Sequence, residues 1–243
     1  MKAADVMVTN VITVGPDACV QDVARTLLDA RISGVPVVGA KGELLGIVSE
    51  GDLMRRVEAG TGRKRPWWLT MFTGKEVLAA EFIKEHSRKV TDVMTSDVVT
   101  ATPDTPLSTI ANLLEKNAIK RVPIVQGGNV VGIVSRANLL QALASLSKQP
   151  DQASAVDDSK IRESVLTQLD AEPWSRPSLI NVIVQNGTVE LWGIVDSMSQ
   201  KKAVRVAAEV TPGVRAVNDN LIIRPVGSGY RSGVAALLSS HAK

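Results

Sequence analysis

The sequence predicts a mixed α+β fold. Two tandem β-α-β-β-α repeats pack as a pseudo-two-fold module, and a small α-β-β-α-β domain follows. Three observations carry this. "DVMVTNVITVGPD" from Asp5 returns as "DVMTSDVVTATPD" from Asp92, so one supersecondary unit is used twice. In each copy, apolar residues at helical spacing precede two short apolar strands. Near the C-terminus, Asn186-Gly187 stands between two β-rich runs, a strong hairpin signal because both turn residues need φ > 0.

In each copy a β segment (Val11 to Val14; Val98 to Ala101) stops at Pro16 or Pro103. A helix follows, with Val20, Val23, Ala24 and Leu27 inward in copy one and Leu107, Ile110, Ala111 and Leu114 in copy two. That spacing is the apolar face of a helix laid on a sheet. The strands "VPVV" and "LLGIVS" come next, or "VPIV" and "VVGIVS", with a second helix from near Asp52 or Asn138. Between the copies, Thr73-x-x-Glu76 is a capping-box pattern. Val77, Leu78, Ala80, Phe82 and Ile83 then predict a helix ending near His86. Arg63-Lys64-Arg65 lies beside Trp67 and Trp68. The tryptophans either pack against the protein or stack on a base or lipid.

Residues 147–156 have linker composition. Asp157-Asp158-Ser159 starts a helix whose inward face is Ile161, Val165, Leu166 and Leu169. The hairpin follows, then a helix from Ser197 to Val210 with Ala203, Val206, Ala207 and Val210 inward, then the strand "VRAVNDNLIIRP". Residues 227–243 read as a flexible tail.

Composition narrows the function. With 44% hydrophobic and 22% charged residues the chain is an ordinary globular protein. Its net charge of +3 is too small to argue for nucleic acid on its own. Cys19 is the single cysteine, and His86 and His241 are the only histidines. An internal disulfide is excluded, and a Cys/His zinc site has few donors. No secretory signal pattern and no membrane-length apolar run is present. The expectation is a cytoplasmic protein, peripheral to the membrane at most.

The repeats resemble a tandem pair of CBS domains, a Bateman module. The matching marks are "DVM", "T-x-x-P-D", "GVPV" or "RVPI", and "G-I-V-S-x-x-D/N-L", each in order and twice. On that basis residues 1–58 and 91–146 are the two CBS repeats and 59–90 an insert. The C-terminal part resembles a BON domain over 157–226, through "V-x-N-G-x-V-x-L-x-G-x-V" and "GVRAVNDNL".

Ser49 and Asp52 have helix-cap spacing. The CBS resemblance implies a further role, with Asp52 accepting ribose hydroxyls, Ser49 beside ribose or phosphate, and Ile12, Thr13, Val35 and Pro36 lining the base pocket. The second copy offers Val122, Pro123, Ser135, Arg136 and Asn138. Asn138 has one acceptor oxygen where Asp52 has a carboxylate, so the second site is expected to be the weaker. Lys120 and Arg121 either reach phosphate or remain solvated, and Arg136 is read the same way with solvation preferred.

The resemblances together imply a non-enzymatic regulator with no cofactor. Its regulatory ligand would be AMP, ADP, ATP or another adenosyl compound, and the module would pair into a homodimer. The BON domain would bind phospholipid or a protein partner; Lys201, Lys202 and Arg205 on its second helix either face anionic lipid or form a solvated face, with solvation preferred. Two other readings stay open: a CBS/BON scaffold with no nucleotide, and a nucleic-acid binder through Arg63 to Trp68. No nucleophile–base pair or metal-ligand cluster supports an enzyme.

Overall fold

The computed structural model describes residues 1–54, 76–77, 82–83, 86–145 and 157–224. Copy one comprises α1 (Ala3–Val6), α2 (Val20–Ala30), β1 (Gly34–Val38), β2 (Leu44–Ser49) and α3 (Glu50–Leu53). Copy two comprises α4 (Val90–Val93), α5 (Leu107–Lys116), β3 (Arg121–Gln126), β4 (Asn129–Ser135) and α6 (Arg136–Ser145). β1 pairs antiparallel with β2, and β3 with β4. The expected leading strands contract to single parallel bridges, Val14 with Val37 and Ala101 with Ile124. The chain turns away at once at Gly15-Pro16 and Thr102-Pro103, so no ladder develops.

Val20, Val23 and Leu27 of α2 are buried, as their spacing predicts. In α5, Ile110 and Leu114 are buried and Leu107 is partly so, but Ala111 is exposed, contrary to expectation. The buried stripe is narrower than the apolar pattern, and Ala111 falls on its outer margin.

The two copies exchange their leading segments. Ala3, Val6 and Met7 pack in one core with Ile110, Leu114, Val122, Ile124 and Val134 of copy two. Val90 and Val93, with Met94 against them, pack with Val23, Val35 and Val48 of copy one. Val8 bridges to Ile133, and Thr95 to Ile47. The repeated glycines make this possible. A Cβ on Gly132 would run into the Met7 side chain, and one on Gly46 into Met94. The methionine of each "DVM" is thus seated on the glycine of the other copy's "GIVS".

The C-terminal domain comprises α7 (Asp158–Ala171), a 3-10 turn (Pro177–Leu179), β5 (Ile180–Gln185), β6 (Thr188–Val195), α8 (Met198–Glu209) and β7 (Ala216–Ile223). Its sheet has the order β5-β6-β7. β6 and β7 run parallel, so α8 is the crossover between them. Asn186 and Gly187 have φ of 50° and 74°, the primed turn expected. The Asp158 carboxylate accepts both turn N–H groups, at 2.7 and 2.8 Å, which ties the start of α7 to the hairpin. Ile161, Val165 and Leu169 are buried as expected. In α8 the buried residues are Val204, Ala207 and Ala208, whereas Val206 and Val210 face outward. This corrects the expected face. Apolar residues lie on both sides of α8, so periodicity alone admitted two faces.

This domain is seated on copy two. Ile183 of β5 joins the core around Val6 and Met7, and Trp192 packs against it. Arg162 of α7 is 8% exposed. Its Nε donates to the Val182 carbonyl at 2.8 Å and its Nη2 to the Met7 carbonyl at 2.6 Å. Burial pushes its pKa down to about 10, with Asp5 opposing, so it remains charged at neutral pH.

The basic-tryptophan run, the linker and the tail lie outside the described residues. Of the insert helix, Glu76, Val77, Phe82, Ile83 and His86 are described, and all are helical. Val77, Phe82 and Ile83 are exposed.

Candidate functional site

Both repeated turns cap the helix that follows. Ser49 donates its N–H and its hydroxyl to Asp52 Oδ2, each at 2.8 Å. Ser135 donates its N–H to Asn138 Oδ1 at 2.8 Å and its hydroxyl at 2.7 Å. The capping geometry is therefore shared, and the second polar atom distinguishes the two. Asp52 Oδ1 has no hydrogen-bond partner among the described residues. Asn138 commits its Nδ2 to Gln141 Oε1 at 3.2 Å and is 5% exposed.

A cleft of about 500 Å³ lies against the copy-two turn. Ser135, Arg136, Ala137 and Asn138 form one side, and Val8, Asn10, Val11 and Ile12 cross from copy one. The stretch from Arg31 to Gly34, with Lys120 and Arg121, closes another side, and Ser178 of the C-terminal domain also lines it. Among the described residues the lining carries four cations and no carboxylate, a composition that favours an anionic ligand.

The cations differ in freedom. Arg121 donates to the Gly34 carbonyl at 2.6 Å and to Ser33 Oγ. Burial lowers its pKa and the Glu50 carboxylate opposes that. It is a fixed strut between the copies and not a solvated surface charge. Lys120 is exposed, with Glu50 at 3.8 Å. Arg136 is exposed and donates Nε to the Ile119 carbonyl at 3.1 Å. Arg31 was not anticipated. It ends α2 with φ of 52°, and Ala118 holds the matching left-handed position in copy two. Aligning "RISGVP" with "AIKRVP" supplies the signal: each copy brings cations that the other lacks, and the exchanged packing brings them to one cleft.

The other anticipated residues fall as follows. Ile12 lines the cleft with Ser135 and Asn138; Ser49 and Asp52 do not line it. The exchange of leading segments accounts for this, since the segment after Met7 runs along copy two. Thr13 lines a neighbouring cavity of about 560 Å³, which shares Asn10, Val11, Ile12 and Ser178 with the first. Val35, Pro36, Val122 and Pro123 are buried and line neither cavity. They lie on β1 and β3, where four of five and three of six residues are buried, so both strand faces are covered.

Among the described residues no group of His, Cys, Asp or Glu could hold a metal ion. No described helix is long and apolar enough to cross a membrane.

Comparison with known proteins gives a consistent picture. The CBS domain model matches residues 3–59 and 90–145, and the BON domain model matches 157–225. The uncharacterized protein MJ1426 of Methanocaldococcus jannaschii is 37% identical over 133 residues, which are 50% of this chain and 79% of that protein. MJ1225 of the same organism is 26% identical over 141 residues, 58% of this chain and 42% of that protein, so the chain spans less than half of this second relative. Among solved structures, CBSX2 in complex with AMP matches with a TM-score of 0.53 and 26% identity, over 60% of this chain and 99% of that one. The swapped leading segments, the paired Ser-x-x-Asp/Asn turns and these matches lead to one conclusion: the chain belongs to the CBS-domain family, as a tandem CBS pair followed by a C-terminal BON domain.

Proposed function

We propose that this protein is a non-enzymatic regulator. Its CBS pair binds an adenine nucleotide reversibly, and its BON domain passes the response to a phospholipid surface or a protein partner. The observation that carries the reading is the cleft at Ser135–Asn138, with an apolar wall of Val11, Ile12, Ile32 and Ile133 and four cations. An apolar wall suits adenine, and the exposed cations Lys120, Arg31 and Arg136 suit phosphate. The AMP named for CBSX2 agrees with that chemistry.

The two turns are unlike sites in this reading. The cleft at Asn138 selects for phosphate, because its amide is already spent on Ser135 and Gln141. The turn at Asp52 selects for ribose, because Oδ1 is a carboxylate oxygen unused among the described residues. Ligand would act by favouring one arrangement of the module. On the BON side, Lys201 is unsuited to lipid, since Nζ is held by the Leu221 carbonyl at 2.5 Å and by Asp219 at 3.4 Å. Lys202, with the outward Met198, Val206 and Val210, is the face that would meet an anionic bilayer.

Thermal unfolding with millimolar ligands tests the nucleotide half, because a ligand selective for the folded state raises stability by RT ln(1 + [L]/Kd). AMP should raise the midpoint more than adenosine. Arg31→Ala with Lys120→Ala should bring the AMP shift down to that of adenosine. No shift with AMP, ADP or ATP would leave the pair as a scaffold.

A further inference from the structure

We propose that the BON domain is itself a wall of the nucleotide cleft, so that ligand occupancy and BON seating form one linked equilibrium. The proposal rests on the reading of the cleft given above. Four independent connections run between the cleft and this domain. Ser178, in the turn before β5, lines both cavities directly. Asn138 of the cleft donates to Gln141 Oε1, and the same oxygen accepts Asn181 Nδ2 of β5 at 2.8 Å. Asn10 of the cleft donates to Asp170 of α7 at 2.9 Å. Arg162 holds the carbonyl of Met7, the residue before cleft-lining Val8.

The relay through Gln141 is buried at both ends, with Asn138 5% and Asn181 4% exposed. Buried amides with a shared acceptor cannot move independently, because each lost bond strands a polar group away from water. Among the described residues Asn181 Oδ1 has no partner, so this junction keeps one unused acceptor beside the relay. A ligand that pushes on Ser178 or repositions the Ser135–Asn138 turn must therefore disturb β5. By reciprocity, whatever shifts the BON domain changes ligand affinity by the same factor. Part of the specificity of the CBS pair thus comes from a residue outside it.

The test is calorimetric titration of AMP into the full chain, as wild type, Ser178→Phe and Asn181→Leu, with the unfolding midpoint of each variant measured. Hydrogen exchange of the β5 amides is followed with and without AMP. The expectation is an AMP affinity at least about tenfold weaker in Ser178→Phe, about 1.4 kcal/mol, and weaker by several-fold in Asn181→Leu. AMP should slow exchange in wild-type β5, and this slowing should be lost in Asn181→Leu. Wild-type AMP affinity in a folded Ser178→Phe overturns the proposal. If that variant does not fold, unchanged affinity and unchanged β5 exchange in Asn181→Leu overturn it. Failure of the wild type to bind AMP, ADP or ATP would instead remove the underlying reading of the cleft, and the proposal with it.

Discussion

At the capping position a single atom separates the two repeated turns. Asp52 and Asn138 accept the same pair of hydrogen bonds from the serine three residues earlier, at near-identical distances. Asp52→Asn should therefore keep the helix cap intact, with an unfolding midpoint close to wild type. It should still weaken adenosine binding by about tenfold, because a charge-assisted bond to ribose contributes roughly 1.5–3 kcal/mol. Titration of adenosine into the variant checks this. Equal adenosine affinity would mean that Asp52 does nothing but cap. The capping role was legible in the sequence, since Ser-x-x-Asp spacing dictates it. Which hydrophobic residues line the cleft was not. Val35 and Val122 sit in apolar strands beside the cleft in sequence, yet both are fully buried. Arg31 gave no local sign, because the cations it joins in the cleft, Lys120, Arg121 and Arg136, belong to the other copy.

Helices and hairpins were readable where a local rule has one solution. The Asn186-Gly187 turn is of that kind, because few other residue pairs tolerate two positive φ values in succession. The outward face of α8 was misread because its apolar residues satisfy two faces, and only the sheet beneath selects one. The exchange of leading segments was also hidden, since a repeat shows that two units exist and not which pieces of each they share. It makes a sharp prediction. Gly46→Ala places a methyl 2.9 Å from the Thr95 carbonyl as well as on Met94, whereas the contacts at Gly132 are all to the Met7 side chain. A flexible thioether can move, but a backbone bridge cannot do so without cost. Overpacking of this kind costs about 1–3 kcal/mol. Gly46→Ala should reach that range in urea unfolding and Gly132→Ala should fall below it. The reverse order would contradict the exchanged packing.

At the scale of the whole molecule, the hydrophobic cores of the two repeats are arranged so that neither is private to its own repeat, whereas the C-terminal domain also keeps a core of its own. The copy-one core borrows Val90 and Val93, and the copy-two core borrows Val6 from the N-terminus and Ile183 from the BON domain. The cleft lies where these borrowed pieces meet, which is why its lining draws on the N-terminal segment, both repeats and the BON turn. In the proposed function such a site would sense a ligand through arrangement and would need no reactive group. The most direct measurement is a crystal structure of the full chain grown with millimolar AMP. Adenine should lie against Ile12 and Ile133, with phosphate in contact with Lys120 and Arg31. A cleft left empty under saturating AMP, or a phosphate bound away from all four lining cations, would contradict it.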